Sequence, residues 1–478
     1  MDIFNQDKFV YLTIFLMAFF IRLIPEIIIP SYPIGYETIT YYAPALIPSQ
    51  PSSGILFYDL LAQFLNANQP LTNTLRAGPL FYILMFLFAQ FSGANSFLVL
   101  KIVGPLLYGT LAVSFLFFAR RALKMEIKIA FLATLLMIFQ IAALRESWDR
   151  FRTVLALVFF FVSLTVLKNK KSTRKWLTIA ILGILTVLTR DYIGLFLLAT
   201  VAGYSIYEKK ERLPLLLTLL PTIILLFAII LPSYFDWIYL SNQPISPSNN
   251  YFGALQDSLL ILIICYLPII PLVLKGFQKN SLLTSMVIWL LISGFASVLF
   301  PWFTIPGYQR WLMLLVFPFS IYAFRGLSVL NFRRFKKPIL AVYVSILLII
   351  GLGYSTGLFS YVGQLPNSYV PIHLVQSSIP WDQIDDVKNV LSWIDDNSSL
   401  NSTLLTEERF LGWTRIYLQR DAIDITILPY GAGGSPFSVL DQADATSVYL
   451  MWYSDVIFDD FQVLYSKNNI ALFEYVNN

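Results

Sequence analysis

Apolar residues over the first 360 positions come in long runs rather than in the short alternations of a soluble chain. Stretches such as Phe9–Leu23, Leu213–Leu231 and Ile339–Tyr361 approach the ~20 residues that cross a ~30 Å hydrocarbon core, so each predicts a spanning helix. The first run ends at Arg22-Leu23 and is followed by Glu26 rather than by a small-residue cleavage site, and it reads as the first span. From Ser377 onward the runs shorten and alternate with polar residues, which predicts a separate mixed α/β unit. There Asp382–Asp395 carries Val387, Val390, Leu391 and Ile394 at helical spacing. Ser402–Thr406 and Ala422–Leu428 read as strands around a helix at Glu408–Leu418. Ser447–Tyr453, Gln462–Tyr465 and Ile470–Tyr475 read as later strands, with a turn at Lys467-Asn468-Asn469.

Composition agrees, since 57% of residues are hydrophobic and 13% charged, against about 25% charged in soluble proteins. Charge adds direction. Residues 1–359 hold 28 Lys and Arg against 13 Asp and Glu, a net +15, whereas residues 360–478 hold 5 against 15, a net −10. The basic residues cluster in short loops between apolar runs, at Arg120 to Lys128, Lys168 to Lys175, Lys209 to Arg212, Lys275 to Lys279, and Arg325 to Lys337. In such loops they set topology, and a nucleic-acid-binding reading fails. If all face the cytoplasm, each stretch between them crosses an even number of times. Trp176 to Tyr207 is then a hairpin with Arg190-Asp191 at its outer tip. Pro79–Phe91, too short to cross, reads with Ile55–Leu65 as interfacial helices in one external loop over about residues 30–96.

The expected fold class is a polytopic α-helical membrane protein of about 11 spans, with a long first external loop carrying those interfacial helices, plus a small C-terminal α/β domain. The spans fall at about 9–29, 97–119, 129–145, 151–167, 176–189, 192–207, 213–232, 255–274, 281–300, 310–325 and 339–360. The transmembrane part is 1–360 and the extracytoplasmic part 361–478; the chain is expected in the cell membrane, N-terminus cytoplasmic, with the lipid bilayer as a partner.

Several charges break this pattern: Arg22 with Glu26, Glu37, Arg76, the run Arg145-Glu146-Ser147-Trp148-Asp149-Arg150-Phe151-Arg152, Arg190-Asp191, and Arg310. An ionisable group at membrane depth is usually directed at a partner, an ion path or a substrate. Arg22 and Glu26, at i and i+4, read as a structural pair. For the others, mutual pairing and convergence on one outer-leaflet cavity both account for the pattern. Collected arginines suit a phosphate or pyrophosphate, and adjacent carboxylates suit a general base or a divalent metal. One cysteine, Cys265, and one histidine, His373, exclude an internal disulfide, a thiolate metal site and a histidine-based triad or zinc centre. Gly431-Ala432-Gly433-Gly434 reads as a flexible loop, lacking the strand-to-helix frame of a phosphate cradle. Asn397-Ser398-Ser399 and Asn401-Ser402-Thr403 are glycosylation sequons on the expected outer face.

Four short segments appear in order: Pro33-Ile34-Gly35-Tyr36-Glu37-Thr38-Ile39-Thr40-Tyr41-Tyr42, Arg76-Ala77-Gly78-Pro79-Leu80-Phe81-Tyr82, Leu188-Thr189-Arg190-Asp191, and Gly307-Tyr308-Gln309-Arg310-Trp311. Their order and spacing resemble the GT-C class of integral-membrane glycosyltransferases: protein O-mannosyltransferases, aminoarabinose transferases and, more distantly, oligosaccharyltransferases. The resemblance implies that Glu37 stands where that class usually has a catalytic Asp in the first external loop, and that Asp149 or Glu146 is the acid of the second. It implies phosphate contacts from Arg76, Arg150, Arg190 and Arg310, with Tyr36, Asp191 and Tyr308 as further site candidates. It also implies a polyprenyl-phosphate sugar donor, a protein or lipid acceptor, and a divalent cation such as Mg or Mn that Glu37 and Asp149 would hold. Two other readings stand beside it: a transporter or flippase for lipid-linked saccharides, and a non-catalytic protein whose outer domain binds a partner.

Overall fold

A computed structural model describes residues 2–46, 78–168, 173–208, 212–240, 247–278, 280–299, 308–329, 336–357, 371, 374–377, 379–398, 402–418, 423–428, 447–454 and 460–475. Arg76, His373, Gly431-Ala432-Gly433-Gly434 and the expected helix at Ile55–Leu65 lie outside the described residues.

The chain is mostly helical, with a small sheet at its C-terminal end. Helix α1, Asp2–Ile28, packs on α4, Ser96–Phe117. Between them lie a π-helical turn at Thr38–Tyr42, the short α2 at Ala43–Leu46, and α3 at Pro79–Ser92. Helices α5, Ile127–Phe139, α6, Ile141–Asp149, and α7, Phe151–Leu167, follow. Then α8, Thr173–Thr189, and α9, Asp191–Tyr207, form a helical hairpin that turns at Arg190. Helices α10, Arg212–Leu240, α11, Pro247–Tyr266, α12, Ile270–Gly276, α13, Ser281–Gly294, and α14, Ala296–Leu299, precede α15, Tyr308–Met313, and α16, Val316–Val329. Helix α17, Lys336–Ser355, completes the apolar part. Among the described residues, four helices are long and apolar enough to cross a membrane singly, and two bent pairs bring the number to six. Shorter apolar helices, including Phe151–Leu167 and Asp191–Tyr207, accompany them.

Where one straight span is expected at 129–145, the chain breaks at Gln140, and α6 turns 63° away from α5. The charged run expected at an outer loop is therefore a short helix, and every residue from Ile141 to Arg152 is buried. A second break, of 79°, separates α11 from α12 within the span expected at 255–274.

Helix breaks at membrane depth leave carbonyls without their usual donors, and side chains must replace them. Tyr108 on α4 donates its hydroxyl to the Ile138 carbonyl at 2.7 Å, beside the first break. Gln140 accepts from the Ala142 amide at 2.6 Å while its own amide donates to the Cys265 carbonyl. Between α15 and α16, the Tyr266 hydroxyl lies 2.8 and 2.7 Å from the Leu312 and Met313 carbonyls, which share its one proton.

The terminal unit starts with a 3₁₀ turn at Trp381–Gln383 and α18, Ile384–Asn397, whose Val387, Val390, Leu391 and Ile394 are all buried, as their helical spacing requires. Strand β1, Ser402–Glu407, helix α19, Glu408–Tyr417, and β2, Ile423–Leu428, form a parallel crossover. Strands β3, Ser447–Tyr453, β4, Phe461–Lys467, and β5, Ile470–Tyr475, complete a five-stranded sheet of order β2-β1-β3-β5-β4. β3 runs parallel to β1, and β5 antiparallel to both β3 and β4. The expected turn at Lys467-Asn468-Asn469 joins β4 to β5, with Asn468 at φ +46°.

Removing a hydroxyl that satisfies a buried break should be felt globally. Tyr266→Phe is expected to cost about 1–3 kcal/mol, the usual penalty of a buried unsatisfied carbonyl, read as a lowered unfolding midpoint in detergent. An unchanged midpoint would show that the break needs no donor from this side chain.

Candidate functional site

Gly35 is the pivot of the site. It adopts φ +104°, where side-chain-bearing residues are strained, and a Cβ there would lie 2.4 Å from the Asp149 Cβ. Only glycine therefore lets the first loop close on α6. The Glu37 amide then donates to Asp149 Oδ2 at 3.2 Å, and Glu37 stands at the N-cap of the π-helical turn, a geometry frequent at functional sites.

The Glu37 carboxylate is buried among guanidinium groups from three elements. Arg310 on α15 donates from Nη2 to Glu37 Oε1 at 3.0 Å. Arg152 on α7 brings Nη2 to 3.6 Å from Oε2, and Arg150 brings Nε to 4.0 Å from Oε1. The Tyr42 hydroxyl is 3.4 Å from Oε2, and its ring stacks on Phe151 at 5.3 Å with Phe81 and Tyr82 around it. Arg152 in turn donates to the Tyr42 hydroxyl at 3.3 Å and lies over the Tyr42 and Tyr82 rings.

The other two acids are paired along α6 and α7. Asp149 accepts from Arg145, and Glu146 from Arg150, both at i, i+4 spacing. In this cluster five arginines, at 145, 150, 152, 190 and 310, face three carboxylates, at 37, 146 and 149. Two positive charges remain in excess, and one remains when Asp191 is counted as well. Among the described residues, Arg150 Nε, Arg190 Nε and Arg310 Nε are buried without a hydrogen-bond acceptor. Unmet donors and excess positive charge in one place are what an anionic group would satisfy.

Electrostatics sets the state of Glu37. Burial by itself would raise its carboxyl, but Arg310, Arg190, Arg152 and Arg150 together outweigh burial and hold it at about 2. Several cations within Coulomb reach dominate the desolvation of one anion. Glu37 is thus fully ionised at neutral pH.

The remaining candidates take other partners. Tyr36 sets its ring edge-on to Tyr41. Asp191 Oδ1 accepts from the Tyr192 amide at the start of α9. Tyr308 pairs with Asp257 and Gln309. Arg190 lies over the Tyr192 ring at 5.1 Å, and Tyr192 hydrogen-bonds Thr153 at 2.8 Å and packs on Trp311. Tyr42, Arg145, Arg152 and Tyr192 join the cluster; the sequence marks the two arginines through the charged run and leaves the two tyrosines unmarked. The two tyrosines sit beside Tyr41 and Asp191 with nothing to distinguish them.

Arg22, paired with Glu26 at 2.9 Å as its spacing predicts, has a further task. It donates to the Ser147 carbonyl at 3.0 Å and the Trp148 carbonyl at 2.6 Å, and so satisfies the end of α6 just before Asp149.

A divalent cation does not fit these residues as arranged. Among the described residues no group of three or more His, Cys, Asp or Glu could hold a metal ion. Glu37 and Asp149 already face arginines, and the surplus charge is positive.

Because Glu37 is held near 2 rather than at its ordinary 4.5, its ionised form adds stability that is complete above about pH 4.5 and declines as pH falls toward 2. The gap in unfolding midpoint between the natural protein and Glu37→Gln should be constant from pH 8 to pH 5 and close below that. A gap that closed already between pH 7 and 5 would contradict the depressed value.

No family model and no curated protein matches the chain. Among solved structures, ArnT from Cupriavidus metallidurans in the apo state is similar, with a TM-score of 0.53 and 12% identity over 98% of each chain. An oligosaccharyltransferase from Archaeoglobus fulgidus, in complex with Zn and sulfate, has a TM-score of 0.44 and 12% identity over 92% of this chain and 67% of that one, too low to carry an argument. Over nearly the whole length of both chains the protein shares the fold of ArnT, a fold of the GT-C class.

Proposed function

We propose that the protein transfers a sugar from a polyprenyl-phosphate carrier to a protein or lipid acceptor at the outer face of the cell membrane. The observation that carries this reading is the excess of buried guanidinium groups, three with unmet N–H donors, around one ionised carboxylate. A phosphate matches the guanidinium fork, and a lipid-linked donor reaches an outward site that cytoplasmic nucleotide sugars do not.

In this mechanism the acceptor hydroxyl oxygen attacks the anomeric carbon of the sugar. The bond from that carbon to the phosphate oxygen breaks, and polyprenyl phosphate leaves with the electron pair. Arg310, Arg190 and Arg150 stabilise the charge that develops on the departing phosphate. Glu37 takes the acceptor proton. A carboxylate held at about 2 is a weak base, so donor binding matters twice: the phosphate draws Arg310 and Arg150 toward itself, and the less shielded Glu37 becomes more basic. Asp149 holds the Glu37 amide, and Glu146 holds Arg150. Arg76 belongs to the same reading from its place in the first loop. So do Tyr36, Asp191 and Tyr308, as further site candidates. The same reading includes eleven spans, a cytoplasmic N-terminus, and a division into a membrane part, 1–360, and an external part, 361–478.

Competition between Glu37 and phosphate for the same arginines separates binding from chemistry. In a transfer assay with a polyprenyl-phosphate sugar, Glu37→Gln is expected to bind the donor at least as tightly as the natural protein. Its turnover should fall by roughly 10²–10⁴-fold, the usual range for a lost general base. Unchanged turnover would remove Glu37 from the mechanism, and a carrier that crossed vesicle bilayers without any transfer would favour a flippase instead.

A further inference from the structure

The segment that carries Glu37 is held from two sides, and one of them is the terminal α/β unit. On the membrane side Lys101 donates to the carbonyls of Ile29 and Tyr32. On the other side the Tyr32 hydroxyl donates to Asp385 Oδ1 on α18 at 2.9 Å, and the Tyr32 ring meets the edge of Trp413 on α19 at 5.7 Å. Tyr32 and Ile39 are buried in the same apolar cluster as Val387, Leu391, Phe410 and Trp413, so residues flanking Glu37 belong to the core of the terminal unit.

A close backbone approach lies at Gly412, in the middle of α19. A Cβ there would lie 2.8 Å from the carbonyl carbon and oxygen of Ile39 and from Thr40 Cα. These are backbone atoms of the π-helical turn that begins one residue after Glu37. Backbone cannot yield as a flexible side chain does, so glycine at 412 sets how deeply the turn seats, and hence where the Glu37 carboxylate meets Arg310. A helix interior otherwise disfavours glycine relative to alanine, and this contact accounts for its presence.

We propose that the terminal unit is a positioning element for Glu37, acting through Gly412 and the Tyr32 contacts with Trp413 and Asp385. Its catalytic meaning rests on the glycosyl-transfer reading above, whereas the mechanical coupling does not. Amide hydrogen exchange on the full chain in detergent reads the coupling without any substrate. In Gly412→Ala, amides of residues 36–42 should exchange about tenfold faster through local opening, while those of β1 and of α7 keep their natural rates. In transfer assays the same variant should lose about tenfold in kcat with donor KM unchanged, as expected when a reacting group is misplaced but the phosphate site is intact.

Natural exchange rates at 36–42 in folded Gly412→Ala would overturn the proposal. If that variant does not fold, Tyr32→Phe, which removes only the hydroxyl bonded to Asp385, decides in its place. Faster exchange at 36–42 supports the coupling, and an unchanged rate overturns it. If the natural protein transfers no sugar, the glycosyl-transfer reading fails while the exchange result still decides the mechanical one.

Discussion

The structure depends on how ionised groups are kept out of water. Removing an ion from water costs several kcal/mol even after relaxation, and deleting one member of a buried pair typically costs ~3–5 kcal/mol. Glu37, Glu146, Asp149 and the arginines around them are nearly all buried, so none is stable alone. They are stable together because α6 and α7 place Arg145 and Arg150 one turn from Asp149 and Glu146, and because Arg310 and Arg152 converge on Glu37 from separate helices. The cluster is nevertheless left with more cations than anions. That surplus is what the phosphate of the proposed donor would balance.

That arrangement requires helices that stop in the wrong places for simple spans. The 63° break at Gln140 turns the charged run inward, and a two-residue interruption at Leu314-Leu315 lies just beyond Arg310 within one membrane-length helical segment. Each break frees carbonyls, and tyrosine hydroxyls from neighbouring helices satisfy them. The site is thereby joined to the packing of the bundle. Tyr108 and Tyr266 give their hydrogen bonds to backbone carbonyls and so hold the backbone near which those charges stand. Arg22 plays a comparable part at the end of α6, where its guanidinium serves two carbonyls, a carboxylate and the face of Trp148.

The terminal unit extends the same logic to the loop side. On one side the loop that carries Glu37 is held by Lys101 and Asp149. On the other the sheet-bearing unit covers it, and Tyr32 and Ile39 pass from one core into the other. The two parts of the chain therefore meet at the residues flanking Glu37.

The sequence by itself determined the class of the protein and the type of its elements. Long apolar runs have one stable form in lipid, and period-two and period-3.6 patterns in the terminal unit have few alternatives, so α18, α19 and the five strands fall close to where local pattern places them. It also marked Glu37, the run 145–152, Arg190 and Arg310 as anomalies, because a charge amid apolar residues is conspicuous without any coordinates. Only the tertiary structure decided which anomalies meet. The bend at Gln140 is a choice between a straight helix and a broken one, settled by the hydrogen bond that distant Tyr108 donates and by the one that the distant Cys265 carbonyl accepts. Tyr42 and Tyr192 become site residues through rings and hydroxyls contributed across more than a hundred and about forty residues, respectively. Gly412 reads in sequence as an ordinary weak point in a helix, and its meaning lies in a backbone some 370 positions away. Such contacts depend on packing in three dimensions, and packing leaves no periodic trace along the chain.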